Sequence, residues 1–377
     1  MRKLLGLFLV LMLVLTVPAL AQDRPNLIEA LQNDPDGRFG TLLAAIDAAG
    51  LTETLAADGD LTLLAPTDAA FAALLDYLGL DAEDLLADTE TLTEVLTYHV
   101  LPERTRSSQL FGGATLPTLQ GEDITFAENA RGQLTANDVV VGPSANIITS
   151  GGVIHVLNGV LLPSAVQAAA EANRAHIRVA HFSPDAGAVD IYINGELSDL
   201  QGVTFGTVSD WIEVPGRAYR IGVAPAGEEP SGTSIYNIRG GSWTTVAAIG
   251  VVGLDSLELR FITEDFSPVG DGLARLTVLH ALPGAPAVDL RLNDTVVVGQ
   301  LGYPGSIGDN DGVDVVDVRA GRYNLSVTPA GAASPVLLSV ESFPLNSGVN
   351  YLLAVVGTPG NPQYVLRSTT IPAAAGG

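Results

Sequence analysis

The chain of 377 residues contains no cysteine, and its only lysine and both methionines (Lys3, Met1 and Met12) lie within the first 12 residues. Without cysteine, disulfide bridges, thiolate metal sites and a lipid-anchored cysteine are excluded. Stability has to come from buried apolar core instead, and a chain of this length can supply it over several domains.

The chain also lacks a hydrophobic run long enough to span a membrane. Its apolar run Leu4–Val17 has 14 residues, whereas a spanning helix needs ~20. Arg2-Lys3 precede this run and Ala19-Leu20-Ala21 follow it, which predicts a secretory signal peptide over residues 1–21. The alternative is an uncleaved membrane anchor. Cleavage would remove Lys3, the only lysine. The mature chain could then form no lysine–asparagine isopeptide bond and could not use a catalytic lysine. We therefore expect a secreted, extracellular or cell-surface protein, with the periplasm as an alternative.

Positive charge is scarce. After cleavage, 16 arginines face 42 acidic residues, a formal charge of −26. This argues against nucleic acid as a partner, since phosphates require basic patches. It argues equally against anionic lipids and polyanionic polysaccharides. Solubility outside the cell is the preferred explanation of the acidity, and a calcium-storing or salt-adapted surface is the alternative.

Motifs for catalysis and metal binding are scarce too. The sequence has no G-x-S-x-G elbow, phosphate-binding loop, dinucleotide fingerprint or H-E-x-x-H. Asp309, Asp311 and Asp314 beside Gly312 form a weak candidate calcium loop. They lack the glutamate that closes a helix-loop-helix calcium site, so an acidic surface turn is preferred. We expect no enzyme activity, no cofactor and no metal.

The segment Thr62–Phe71 combines a strand signal with a helix signal. Apolar residues run up to Pro66, and a helical pattern opens at Ala69. This predicts a buried strand that stops at the proline, followed by a helix capped by Thr67 or Asp68 and anchored by Phe71.

Two further motifs follow in order. Tyr98-His99 lie within an apolar stretch, and Asn146-Ile147 precede the closing segment Gly151–Pro163. Together the three motifs resemble the fasciclin domain, an extracellular adhesion module, over about residues 25–163. The resemblance implies an α+β fold and a binding role for Tyr98 and His99. The alternative for both residues is structural, with Tyr98 and His99 pinning the helices to the sheet. His155 is interpreted as a packed strand residue.

The apolar spacing divides this region into helices followed by strands. The predicted helices run from Leu42 to Gly50, Phe71 to Gly79, Asp81 to Leu86, Thr89 to His99 and Ser164 to Arg174. The predicted strands are Ile124–Phe126, Leu134–Val141 and Val153–Leu157.

The second half of the chain repeats itself. Residues 175–181 return as 274–280, an offset of 99, and residues 219–227 return as 323–331, an offset of 104. Short alternating strands separated by glycine and proline turns predict all-β sandwiches. The repeats resemble an uncharacterised β-domain family of secreted bacterial proteins. We thus predict a multidomain chain: an α+β fasciclin-like domain (22–165), a linker (166–174) and two all-β, immunoglobulin-like sandwich repeats (175–268 and 273–371).

Each repeat carries one histidine and one aspartate at equivalent positions, His181 with Asp190 and His280 with Asp289. Their duplication within varying surroundings indicates scaffold rather than catalysis. If the rings are buried and neutral, each folded pKa should lie below ~6.5; if each ring pairs with its aspartate, the pKa should be raised. Burial is the preferred alternative.

These observations predict an exported, non-catalytic adhesion protein of the cell surface or matrix. Its partner would be a cell-surface or matrix protein or a glycan, and its oligomeric state is left open. One alternative is a secreted binder of a small ligand or glycan, which would use an apolar cleft between the fasciclin helices and sheet. A secreted hydrolase is the other.

Overall fold

The computed structural model of the chain describes residues 24–230, 233–254, 256–304 and 311–372. The predicted signal peptide lies outside the described residues. The chain divides into two compact units. One reaches to Asp76 and continues over Leu80–Val166, and the other consists of Tyr77–Gly79 and the residues from Gln167 onward.

In the described part of the chain, the α-helices all lie before Asn173. They are α1 Leu27–Gln32, α2 Gly40–Ala48, α3 Thr52–Ala56, α4 Asp68–Leu78, α5 Ala82–Ala87, α6 Thr89–Tyr98, α7 Ser107–Leu110 and α8 Ser164–Ala172. Short polar side chains begin several of them: Asn26 forms a capping box with Glu29 at α1, and Asp81 and Asp88 cap α5 and α6. Helices α1, α3 and α7, of six, five and four residues, were not predicted.

The strands of the first unit form one seven-stranded sheet. They are β1 Leu61–Pro66, β2 Val100–Leu101, β3 Thr115–Pro117, β4 Asp123–Glu128, β5 Leu134–Ala136, β6 Val139–Ile148 and β7 Gly152–Leu157. Their order is β2-β1-β7-β6-β5-β4-β3, and β1 and β7, the second and third strands of this order, pair in parallel. Helices pack on this sheet through a core that includes Leu42, Ile46 and Phe71.

The prediction of one strand over Leu134–Val141 was wrong. Asn137 and Asp138 adopt φ angles of 43° and 68°, and Ala136 pairs with Val139 across them. Two residues with positive φ make the tight hairpin turn that joins antiparallel strands, and asparagine and aspartate tolerate that conformation. The segment therefore folds into β5, a turn and the start of β6.

The second unit contains the two repeats, each built from two four-stranded sheets. Repeat 1 comprises β8 Arg174–His181, β9 Val189–Ile193, β10 Glu196–Leu197, β11 Ile212–Pro215, β12 Ala218–Pro225, β13 Thr233–Asn237, β14 Trp243–Ile249 and β15 Glu258–Glu264, with a 3₁₀ turn at Val252–Leu254. Repeat 2 comprises β16 Leu273–His280, β17 Val288–Leu292, β18 Thr295–Leu301, β19 Val313–Arg319, β20 Gly321–Pro329, β21 Leu338–Leu345, β22 Val349–Thr358 and β23 Asn361–Thr370.

The sheets of the two repeats correspond. Orders β10-β9-β12-β13 and β11-β8-β14-β15 in repeat 1 match β18-β17-β20-β21 and β19-β16-β22-β23 in repeat 2. In each repeat, the first strand pairs in parallel with the seventh. The predicted fold class, an α+β domain followed by all-β sandwiches, is confirmed.

The two repeats share a third core besides the one inside each sandwich. Strand β8 directs Ile177 and Val179 into the core of repeat 1. Its alternate residue Ala180 packs instead in a cluster with Leu279 and Ala354 of repeat 2. The repeats therefore pack against each other through apolar faces, as parts of one unit.

Candidate functional site

Tyr98 and His99 lie at the end of α6, and both are buried, with 3% and 1% of their surface exposed. The Tyr98 hydroxyl donates a hydrogen bond to the Asp123 carbonyl (3.2 Å) and accepts one from the Asn137 side chain (2.7 Å). A partner cannot touch covered side chains, so their position does not provide the binding role that the resemblance implied. It fits the structural alternative, in which they tie α6 to the strands.

His99 bonds through both ring nitrogens. Its Nδ1–H donates to the Val95 carbonyl (2.7 Å), and its Nε2 accepts from the Leu161 N–H (2.9 Å). Because one nitrogen must accept, this arrangement requires the neutral ring. Burial lowers the pKa of His99 to about 4, against a weaker opposite effect of the Val95 carbonyl.

The closing motif is arranged around His155, whose side chain is fully buried. Its Nε2–H donates to the Thr105 carbonyl (2.8 Å), and its Nδ1 accepts from the Asn146 N–H (3.2 Å). Asn146 in turn accepts from the Ser107 N–H at the start of α7 (2.9 Å). Burial lowers the pKa of His155. This histidine and asparagine join three segments of the first unit.

Gly152 opens β7 where the backbone leaves no room for a side chain. A Cβ atom built on it would lie 1.9 Å from the Leu61 carbonyl oxygen, and its φ is +152°. Gly132, in contrast, has φ of +73° but nothing within 4 Å of such an atom. Gly152, within the closing motif Gly151–Pro163, therefore permits the close parallel pairing of β7 with β1.

The two polar residues of the first motif cap different helices. The Thr67 hydroxyl accepts from the Ala70 N–H (3.3 Å) in the first turn of α4. The Asp68 carboxylate accepts from the Thr41 N–H (2.7 Å) and more weakly from the Gly40 N–H (3.3 Å), at the start of α2. The sequence offered Thr67 or Asp68 as alternative caps of one helix. It carries no local signal for the second cap, because 27 residues separate Asp68 from Thr41.

The duplicated histidines are buried and bond to loop backbone. His181 donates to the Gly187 carbonyl (2.7 Å) and His280 to the Pro286 carbonyl (3.1 Å). Each ring accepts, through its other nitrogen, the N–H two residues later (3.3 Å). Burial lowers the pKa of both rings. The geometry thus matches the burial alternative rather than pairing with aspartate.

The duplicated aspartates bond elsewhere. The Asp190 carboxylate accepts from the Gly202 and Gly227 N–H groups (2.7 and 2.8 Å). Asp289 does the same with Gln300 and Gly331 (both 2.9 Å). Each aspartate therefore ties two other segments of its repeat to its own strand, β9 or β17, and the equivalence of the two repeats extends to these bonds.

The candidate calcium loop is only partly described. Asp309 lies outside the described residues, while Asp311 and Asp314 accept from the backbone N–H groups of Val313 and Val315. Within the described ranges, no group of three or more histidine or acidic side chains is placed to hold a metal ion. In the same ranges, no helix has the length and apolar character needed to cross a membrane.

Side chains fill the space between the fasciclin helices and sheet in which a ligand cleft was expected. Leu42, Ile46 and Phe71 lie there with at most 1% of their surface exposed. An open groove of about 360 Å³ lies instead beside Phe111, between the ends of β5 and α7 and the start of β6. Its lining includes apolar Leu134.

Phe111 is the exposed apolar side chain of this groove, with 45% of its surface accessible. Ser107, Gln133 and Asn158 supply polar groups around it. Sequence reasoning missed this surface, because its residues are brought together only by the fold. We call it the Phe111 groove.

Comparison with known proteins yields two families. The model of the fasciclin domain matches residues 37–163, and that of the domain of unknown function DUF4397 matches residues 175–291 and 274–377. Protein sll1483 of Synechocystis is 41% identical over 33% of this chain and 67% of its own length. Transforming growth factor-beta-induced protein ig-h3 of Sus scrofa is 39% identical over 34% of this chain but 18% of its own length. Immunogenic protein MPB70 of Mycobacterium bovis is 31% identical over 40% of this chain and 74% of its own length.

Proposed function

The chain belongs to the fasciclin-domain family and carries two DUF4397 domains after its fasciclin domain, and from this premise we propose that it is an exported, non-catalytic adhesion protein. Its partner would be a protein of the cell surface or extracellular matrix. The fasciclin domain would make weak contacts, and many copies would together give firm attachment, as avidity requires.

The observation that carries the proposal is the position of the family motifs. The polar groups of Tyr98, His99 and His155 bond to other groups of the same domain, largely to backbone. Thr67 and Asp68 cap helices. Motif residues that bond in this way stabilise the domain. Contacts with a partner would therefore be made by other residues, which are exposed on its surface.

The Phe111 groove is the surface that we assign to adhesion. An exposed aromatic side chain beside apolar and hydrogen-bonding groups is the composition typical of the centre of a protein interface. The groove contains neutral polar groups at Ser107, Gln133 and Asn158. It can therefore contact a protein surface without adding to the repulsion that this acidic chain exerts on anionic partners.

A bead-adhesion experiment tests the proposal with a matched control. Beads coated with the chain from Gln22 onward are placed on a surface coated with cell-surface extract of the source organism, and detachment is measured under flow. Phe111→Ser should weaken adhesion by at least about fivefold, since it removes an aromatic contact of about 1 kcal/mol from every copy on the bead. Leu119→Ser is the control, because Leu119 is equally exposed (45%) on the same domain but lies outside the groove.

Other results would contradict the proposal. Equal loss in both variants would mean that adhesion is unspecific, and no adhesion by the unmodified chain would remove the proposed activity itself. A lipid or sugar that copurifies with the chain and is released by Phe111→Ser would favour the small-ligand alternative. Turnover in a broad hydrolase screen would overturn the non-catalytic assignment.

A further inference from the structure

Repeat 1 has a second groove, which the fasciclin motifs do not involve. It has a volume of about 680 Å³ and lies between the edge strand β13 and the start of β15. Val189, Val223 and Leu259 give it an apolar floor that continues into the core of the repeat. We call it the repeat-1 groove.

Acidic side chains line this groove at its rim. They are Asp185, Glu228, Glu229 and Glu258, all exposed. Asp185 accepts from the Val252 and Gly253 N–H groups, and Glu258 contacts Arg260 at 3.1 Å. Within the described ranges, the carboxylates of Glu228 and Glu229 make no hydrogen bond or ion pair. Two negative charges thus stand unpaired beside an apolar floor.

Repeat 2 provides an internal comparison, because it has the same sheets without these acids. The offset of 99 places Gly284 at the position of Asp185, and the offset of 104 places Ala332 and Ala333 at those of Glu228 and Glu229. The strand pairing of Val356 with Gln363, which corresponds to that of Ile249 with Glu258, places Gln363 at the fourth position. All four acids of repeat 1 are therefore neutral in repeat 2.

The same comparison shows that the scaffold does not need these acids. His181 with Asp190 and His280 with Asp289 make equivalent bonds in both repeats. A sandwich of this kind therefore forms with or without the acidic rim. Asp185 and Glu258 already have partners, so a positively charged occupant would be stabilised mainly by Glu228 and Glu229, which stand side by side without one in the described ranges.

Two further features specify that occupant. Val252, which lines the groove, and Leu254 two residues later expose 48% and 75% of their surface, so an apolar contact is available beside the charges. Strand β13 is the last strand of its sheet, and Thr233 and Ser234 at its start line the groove. An edge strand offers unpaired backbone groups to which an extended peptide can add.

We propose that the repeat-1 groove binds an extended segment of a partner protein in which arginine or lysine alternates with apolar residues. Arginine or lysine would pair with Glu228 and Glu229, and the apolar residues would cover Val252 and the floor. A second copy of this acidic chain is a poor candidate, since its formal charge is −24. This groove belongs to a different unit from the Phe111 groove, so either proposal can fail while the other stands.

Fluorescence anisotropy with a labelled peptide tests the inference on the chain from Gln22 onward. The probe alternates arginine and valine over about eight residues, enough to pair along the five residues of β13, at about 0.15 M salt. We expect saturable binding. Glu228→Gln with Glu229→Gln should weaken it about tenfold, because two exposed ion pairs together contribute about that factor.

The matched control removes the same charge from the same repeat. Glu196→Gln with Asp199→Asn changes two residues that do not line the groove, and it should leave the affinity unchanged. A peptide with serine in place of valine should bind at least about threefold more weakly, because it forfeits apolar contact. Unchanged tryptophan fluorescence verifies that each variant is folded.

Three results would overturn the inference. The first is no saturable binding of the arginine–valine peptide. The second is an equal loss in the control variant, which would mean attraction by net charge alone. The third is equal affinity for the serine peptide, which would mean that the apolar floor takes no part.

Discussion

The first prediction concerns the stability that depends on the buried ion pair of Arg178 and Glu264 in repeat 1. Both side chains are buried (2% and 1% exposed), and their charged atoms lie 2.6 Å apart. The guanidinium group also lies over the Trp211 ring at 4.1 Å, and the carboxylate accepts from the Asn350 amide of repeat 2 at 3.2 Å. Glu264→Leu would leave a buried cation without its partner. Removing one member of a buried pair typically costs about 3–5 kcal/mol of unfolding free energy.

The two single variants should differ with pH. Arginine stays charged, so nothing at this site titrates in the Glu264→Leu variant between pH 7 and 5, and lowering the pH should not relieve its loss of stability. Arg178→Met leaves a carboxylate, and burial already raises the pKa of Glu264. That carboxylate can take up a proton, so the cost of Arg178→Met should fall as the pH is lowered. The double variant should lie within about 1 kcal/mol of the unmodified chain, because an apolar pair can replace a buried ion pair.

The chain provides separate probes of its two units. Both tryptophans, Trp211 and Trp243, belong to repeat 1, so their fluorescence reports unfolding of the second unit in urea. Of the described α-helices, all except most of α8 and the end of α4 belong to the first unit, so the α-helical signal in far-ultraviolet circular dichroism mainly follows that unit. We expect the Glu264 variant to shift the fluorescence midpoint and leave the dichroism midpoint unchanged. The reasoning would be refuted if Glu264→Leu lowered the unfolding free energy by less than about 1 kcal/mol. It would also be refuted if the double variant lost as much unfolding free energy as the two single variants added together.

Further predictions concern the first unit and are measured by the dichroism midpoint in urea. The pKa of His99 falls from 6.5 to about 4 on folding, so its neutral form contributes stability that is complete above pH 6.5 and lost as pH falls toward 4. The loss should be about 3 kcal/mol, and His99→Gln should lack it. Gly152→Ala should prevent folding of this unit, because its Cβ would overlap backbone, whereas Gly132→Ala should cost only about 1–2 kcal/mol of φ strain. Phe71→Ala should cost about 3–5 kcal/mol as a core cavity, and Thr67→Ala about 1 kcal/mol as a lost cap.

Three results would contradict these predictions for the first unit. The same pH dependence with and without His99 would place the titration on other groups. A folded Gly152→Ala variant would mean that β7 does not approach β1 as described. If Thr67→Ala were the more damaging of the last pair, the position of α4 on the sheet would be wrong.

Local sequence was enough to place several elements. Helices α2, α4 and α6 were predicted close to their observed bounds, because each carries an apolar stripe at helical spacing. The repeat itself predicted two sandwiches, because two copies of one sequence pattern are expected to adopt the same fold. The hairpin at Asn137 and Asp138 was missed, although their residue types tolerate the φ angles that the turn requires.

The sequence by itself therefore determined the domain types and the repeat, because these can be read from the order of residues along the chain. Tertiary structure alone decided that Tyr98 and His99 are covered, that Asp68 caps α2 and that the repeats share a core face. It also decided which exposed residues converge, at the Phe111 groove and the repeat-1 groove. Burial and convergence arise from contacts between residues far apart in the sequence, and no local pattern encodes those contacts.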